Sequence, residues 1–336
     1  MIEFNPEKNT YRPATYEAPA ARFWTGRPSN PDVGNQYWHQ EITRVDLRDT
    51  ANQSAIDIAL IGYVCDAGVQ RNLGRIGAAG GPEGVRERLA KLPIHFNDKV
   101  VADVGDIVCL DQHMEACQAL YAHAFSTLIA RGIFPIAIGG GHDMAYGSYR
   151  GIKQALAANA RSGRVGIINF DAHFDLRPVE DLPNSGTPFN QLITEYQAQG
   201  ETVDYFAIGI QHQSNTKELF DIATDNRVQY AINYDCESST ADIQRLQERL
   251  LPFLAANDYV YITIDMDGFS SAYAPGVSAP SPLGFTPFFV FKLLKFLFDT
   301  NKVIACDIAE LNPALDRDSL TANLAAKLVD YMVMIR

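Results

Sequence analysis

Basic residues are the scarce class in this chain, with 28 Lys and Arg against 40 Asp and Glu and a formal net charge of −12 over 336 residues. Nucleic acid needs a basic face, so no nucleic-acid partner is expected. A small anionic substrate stays open, because it responds to local arginines. Long apolar runs are missing too. No uncharged stretch approaches the ~20 residues of a membrane span. The start, Met1-Ile2-Glu3-Phe4-Asn5, lacks the basic and apolar regions of a signal peptide. These absences predict a cytoplasmic protein without a membrane partner. Cysteine is sparse: Cys65, Cys109, Cys117, Cys236 and Cys306 are odd in number, scattered, and never in a CxxC pair. Neither a disulfide framework nor a zinc knuckle is expected, only buried reduced thiols.

What is present is 47% hydrophobic and 20% charged, as in ordinary globular proteins. Residues 1–53 are rich in Pro, Ala and aromatics, including Trp24 and Trp38, and read as an arm packed on a single domain that fills the rest of 1–336. Aromatics of this density are scarce in disordered tails. Short apolar runs follow: Ile56–Tyr63, Ile133–Ile138, Val165–Phe170, Tyr205–Ile210, Tyr259–Ile264 and Val303–Ile308, with weaker ones at Val100–Val104 and Val228–Ile232. Runs apolar on both faces suit parallel strands covered on each side. Pro82–Leu92, Gln112–Ala130, Asp242–Leu254 and Pro287–Phe298 read as helices between them, so the fold class is α/β with a parallel sheet.

Polar residues gather where these runs end. Ile133–Ile138 leads into Gly139-Gly140-Gly141-His142-Asp143, Val165–Phe170 into Asp171-Ala172-His173-Phe174-Asp175, and Tyr259–Ile264 into Asp265-Met266-Asp267. In such sheets ligands bind beyond the carboxyl ends of the strands. Residues two apart in an extended segment share a side, so Asp171, His173 and Asp175 are expected to converge, as are Asp265 and Asp267. The glycines let the chain turn sharply before His142. Four carboxylates and two imidazoles favour Mn²⁺ ahead of Zn²⁺ and Mg²⁺. Six ligands exceed the needs of one catalytic metal, so two metals sharing carboxylates fit better. A lone strand-end His or an isolated DxD is usually just a hydrogen-bonded or capping residue; the three motifs in this order carry the metal reading. His39, His95, His113 and His123 lie in arm or helix contexts and read as ordinary histidines.

With these motifs the chain resembles the arginase-like ureohydrolases from about Ile56 to its end. The resemblance implies a three-layer α/β/α sandwich around an eight-stranded, mostly parallel sheet, two Mn²⁺ per chain and a homo-oligomer. It implies that His142, Asp171, Asp175 and Asp265 hold one metal and Asp171, His173, Asp265 and Asp267 the other, with Asp171 and Asp265 bridging. A hydroxide between the metals would attack a planar amidine carbon, with Asp175 as its hydrogen-bond partner and proton carrier and Glu310 orienting the amidinium. The stretches Asn169–Arg177, Ser185–Phe189, Ser214–Phe220, Ala274–Pro280 and Asp307–Pro313 are similar to the branch that cleaves N-formimidoyl-L-glutamate to L-glutamate and formamide in histidine degradation. Ser185 and Phe189 stand where other branches carry His, and Ser270-Ser271 replaces a later Asp-Pro.

Arg177 bears most directly on the substrate. Two residues beyond Asp175, it offers a planar fork that matches a carboxylate. A substrate with two carboxylates calls for further partners, and Arg71, Asn72, Arg75 and Ser185 are the candidates. The rival readings are a guanidino ureohydrolase acting on arginine, agmatine or guanidinobutyrate, a binuclear phosphoesterase, and a metal-binding scaffold. A phosphoesterase would need several cations beside the metals, and only Arg177 is evident. A scaffold has no use for an open metal face.

Overall fold

The computed structural model describes residues 4–49, 56–96 and 98–336. The boundary of the arm expected near Gln53 lies outside the described residues. In chain order the strands are β1 (Thr15–Glu17), β2 (Thr43–Arg44), β3 (Ile58–Val64), β4 (Val101–Val108), β5 (Phe134–Ile138), β6 (Val165–Phe170), β7 (Asp204–Ile210), β8 (Gln229–Ile232), β9 (Tyr259–Asp265) and β10 (Val303–Ala309). The helices are α1 (Trp38–Glu41), α2 (Ala67–Arg71), α3 (Gly81–Leu89), α4 (Met114–Ala130), α5 (Met144–Ala158), α6 (Pro188–Ala198), α7 (Lys217–Asp225), α8 (Thr240–Ala256), α9 (Pro287–Phe298) and α10 (Leu320–Ile335). All eight apolar runs are strands, and the four expected helices are helices.

The strands form one sheet in the order β1-β4-β3-β5-β10-β9-β6-β7-β8, with β2 also pairing β4. From β4 to β8 every pairing is parallel. These eight strands are the expected sheet. The arm adds two more, β1 antiparallel and β2 parallel to β4. Alternate residues enter opposite cores. Leu60, Ile168 and Ile262 meet helices α3, α8, α9 and α10 through Val85, Leu250, Leu293 and Leu328. Ile61, Ile167 and Tyr261 meet α4 to α7 through Leu120, Ile152, Leu192 and Leu219. A sheet with both faces buried between helices gives three layers.

The arm is tied down along its length. Phe4 and Tyr11 stack on His123, with centroids 5.4 and 5.5 Å away. The Trp24 indole donates to Asp103 (2.8 Å), and the Trp38 indole to Asp330 of α10 (2.7 Å). Asp103 and Asp106 interrupt apolar β4 because the buried Arg86 guanidinium of α3 binds both, at 2.8 and 2.6 Å. A buried charge needs such partners. Among the described residues no helix is long and apolar enough to cross a membrane.

Candidate metal centre

Four adjacent central strands, β5, β10, β9 and β6, deliver the site from their carboxyl ends. The loop after β5 is laced to β10: Gly139 N donates to Ile308 O (2.7 Å), Glu310 N to Gly140 O (2.8 Å), and Gly141 N to Cys65 O at the end of β3 (2.9 Å). A Cβ on Gly140 would collide with the Cys65 carbonyl, which is why glycine stands there. The lacing brings His142 N within 2.9 Å of Glu310 Oε1.

The His142 Nδ1 atom is the centre of the first constellation. It lies 2.8 Å from Asp175 Oδ2 and 3.2 Å from both Asp171 Oδ2 and Asp265 Oδ2. It makes no hydrogen bond of acceptable geometry to any of them. A buried nitrogen among three carboxylate oxygens without hydrogen bonds is an arrangement that could hold a metal ion, since such groups are otherwise paired. His142, Asp171, Asp175 and Asp265 form one ligand group, and Asp171, His173 and Asp267 a second. His173 Nδ1 stands 3.3 Å from Asp267 Oδ2 and 3.5 Å from Asp171 Oδ1. Asp171 belongs to both groups. Asp265 stands in the first group, and its Oδ1 accepts from Asp267 N (2.7 Å).

The route to convergence differs from the one the spacing suggested. Asp171 to Asp175 lie past the end of β6 in a bend, and Asp267 lies in a 3₁₀ turn, so strand alternation does not align them. Asp175 and Glu310 both have left-handed backbones, with φ of 49° and 67°. Non-glycine residues rarely adopt that region, and such strain gathers at functional sites.

Electrostatics support a cationic occupant. Burial raises the carboxyl groups of Asp175, Asp265 and Asp267 above their ordinary range. Burial also pushes Glu310 up to about 8. Asp171 is also raised by burial, but the His142 and His173 imidazoles outweigh this and hold it low. A divalent ion supplies the positive charge that these buried acids lack.

Several positioning residues escaped the motif reading. Thr263 Oγ1 lies 2.9 Å from His142 Nε2. Asn169 Nδ2 donates to Asp171 Oδ2 (3.0 Å) and to Tyr205 Oη (2.9 Å), whose hydroxyl donates to Phe174 O (2.9 Å). Asn215 accepts from Phe174 N (3.0 Å) and donates to Ala172 O (2.9 Å), fixing the same bend. The signal was available: Asn169 and Thr263 are polar residues inside fully buried apolar runs.

The constellation floors a cavity of about 200 Å³, lined also by Asn72, Arg177, Ser185 and Glu310. A larger outer cavity of about 500 Å³ shares Asn72 and Arg177 with it. Arg177 N donates to Gly186 O (2.9 Å). Among the described residues its guanidinium has no hydrogen-bond or ion-pair partner. Asn72 donates to Ser185 Oγ (3.1 Å). The other two candidate arginines are held by protein groups. Arg71 is bound bidentately by Glu115 at 2.6 and 3.1 Å and also reaches Pro183 O. Arg75 is spent on Val277 O and Ser278 O. Arg71 also lines the outer cavity, and Arg75 lines neither of the two. Phe189, aligned with a histidine elsewhere, is fully buried and stacks on Tyr205 at 4.4 Å.

Comparison with known proteins agrees with this geometry. The profile of the Arginase family matches residues 56–335. A protein of Geobacillus kaustophilus named formimidoylglutamase is 42% identical over 316 residues, spanning 93% of this chain and 94% of that one. One of Lysinibacillus sphaericus with the same name is 40% identical, spanning 91% and 93%. The crystal structure of Trypanosoma cruzi formiminoglutamase with Mn²⁺ superposes with a TM-score of 0.73 at 25% identity, covering 85% of this chain and 95% of that one. Formimidoylglutamase from Bacillus subtilis shares the fold, with a TM-score of 0.76 at 22% identity over 92% and 94%. From its three-layer sheet to the ligands at the ends of its central strands, the chain belongs to the arginase family.

Proposed function

We infer that this chain hydrolyses N-formimidoyl-L-glutamate to L-glutamate and formamide at a centre of two Mn²⁺ ions. The observation that carries the substrate is the unpaired guanidinium of Arg177 where the metal cavity opens into the outer one. Arg177 is exposed, but it lines both cavities, and its planar fork fits a carboxylate. The relatives named formimidoylglutamase, about 40% identical over most of the chain, support the same substrate.

His142, Asp171, Asp175 and Asp265 would hold one ion, and Asp171, His173 and Asp267 the other. When bound, two such ions supply ionised water near neutral pH and polarise the amidine. The protein does the rest. The glutamyl carboxylates face Arg177, with Asn72 and Ser185 on the same wall. That places the amidine over the metal floor, beside Glu310. A cationic amidinium provides the counter-charge that buried Glu310 lacks, and a charge-assisted hydrogen bond fixes its plane. Addition of water to the amidine carbon and cleavage of its bond to the glutamyl nitrogen leaves formamide and an amine that must gain a proton. Asp175, in the cavity wall, would carry it. Cytoplasmic placement and assembly into a homo-oligomer belong to this reading, and sedimentation of the loaded protein tests the second.

The decisive assay gives the Mn²⁺-loaded protein formimidoylglutamate, arginine and agmatine in parallel. Formamide from the first and no urea from the others is expected. Urea release with no formamide would transfer the assignment to a guanidino hydrolase.

A further inference from the structure

Three of the scattered cysteines come together away from the acidic centre. Cys65 follows β3, Cys109 follows β4 on the neighbouring strand, and Cys117 lies in the first turn of α4. Their Sγ atoms all lie within 4.8 Å of one another. Cys65 and Cys117 are fully buried, while Cys109 is partly exposed and opens the cluster to solvent. The sequence predicted no thiol site because the ligands sit 44 and 8 residues apart and form no CxxC. Pairing of β3 with β4 supplies the proximity instead, through Cys109 N donating to Val64 O at 3.0 Å.

We propose that Cys65, Cys109 and Cys117 form a second metal site, taking one soft thiolate-seeking ion of the Zn²⁺ class. Zinc–thiolate bonds near 2.3 Å set three sulfurs about 4 Å apart, within the observed spacing. A disulfide would use two sulfurs and leave the third without a role. Thiolates also select soft or borderline ions over Mn²⁺, so the two centres would load different metals. The neighbouring thiols Cys117 and Cys65, donating to Cys109, hold it well below the usual thiol range, with help from Arg71. Metal binding would release thiol protons. Burial keeps Cys117 in its neutral form until then. The backbone links this site to the catalytic one, since Cys65 O receives Gly141 N of the loop that carries His142. A metal on Cys65 would brace that loop from behind.

The probe is Cd²⁺ added to protein already saturated with Mn²⁺, followed by thiolate-to-cadmium charge-transfer absorption. The acidic centre contains no sulfur and stays silent in this signal. One equivalent of Cd²⁺ is expected to saturate the band, and Cys109→Ser and Cys117→Ser are each expected to abolish it. Because Cys117 is in the core, its variant is checked for folding by near-ultraviolet circular dichroism. The wild type also gives an independent readout, in which Cd²⁺ should protect Cys109 from alkylation. No band in the wild type, a band that survives Cys109→Ser, or unprotected Cys109 would each overturn the site. So would peroxide joining two of the three as a disulfide in protein that gives no cadmium band. None of these results depends on the hydrolase reading, which the formamide assay tests separately.

Discussion

At the scale of single residues, the candidate metal ligands were legible as a cluster because each stands near the end of an apolar run, where a polar cluster has few other uses. Their supports were less so. Thr263 interrupts a buried strand and holds the far nitrogen of His142, as partners of metal-bound imidazoles do. Thr263→Val keeps the shape and removes the hydroxyl, so Mn²⁺ affinity should fall about 10- to 100-fold. Metal titration followed by activity checks this, and unchanged affinity would leave Thr263 a packing residue. The protein partners of Arg71 and Arg75, Glu115 and the Val277-Ser278 carbonyls, are remote in sequence. Local spacing cannot reveal such pairings. Arg177 is different, as its guanidinium faces the cavities. Hydrogen bonds to charged groups contribute roughly 1.5–3 kcal/mol, so Arg177→Met should lower kcat/KM for formimidoylglutamate about 10- to 150-fold. Turnover of plain formamidine, which has no carboxylate, should change far less. Equal losses on both would assign Arg177 to the chemistry or the fold.

Among elements, the eight parallel strands from β3 to β10 were visible in the sequence, while the two short strands of the arm and half of the longer helices were not. Helix α5 shows why. It contains Gly147 and Gly151, which weaken helical propensity. A Cβ on Gly147 would come within 2.8 Å of Tyr121 Cδ1, and one on Gly151 within 2.8 Å of Ala122 O, both on α4. The residues that hid the helix let it lie close against its neighbour. The bend from Asp171 to Asp175 was also out of reach, because its shape depends on Asn215 and Tyr205 from other segments. The β5 loop gives the test at this scale. Gly140→Ala forces the loop off the Cys65 carbonyl, a backbone atom that cannot swing away. The expected result is loss of Mn²⁺ binding and activity while far-ultraviolet circular dichroism stays native. Full metal content in Gly140→Ala would show that the contact does not position His142. Asp171→Asn, which removes the carboxylate common to both ligand groups, should lower metal content and turnover together. A variant with two metals per chain and normal rates would contradict the shared role.

For the whole molecule, metal and stability are coupled through pH. Without metal, burial raises Asp175, Asp265, Asp267 and Glu310 above ordinary carboxylates, Glu310 to about 8. Such groups contribute stability that is complete below the ordinary carboxylate range and lost as pH rises through the raised values. His142 and His173 act in the same sense. Burial opposes it, yet the surrounding carboxylates raise both imidazoles. Asp171, held low, works the other way. The metal-free protein should therefore melt at lower temperature as pH rises from mildly acidic to about 8. The Mn²⁺-loaded protein should show the reverse, because protons compete with metal for the same atoms. Parallel thermal melts across pH, with and without Mn²⁺, compare the two, and identical slopes would rule out the linkage. The arm has a different consequence, one of timing. Trp38 is bonded to Asp330, 292 residues away on the final helix. During synthesis the arm leaves the ribosome well before α10, which makes part of its seat. The arm can complete its docking only after α10 has emerged.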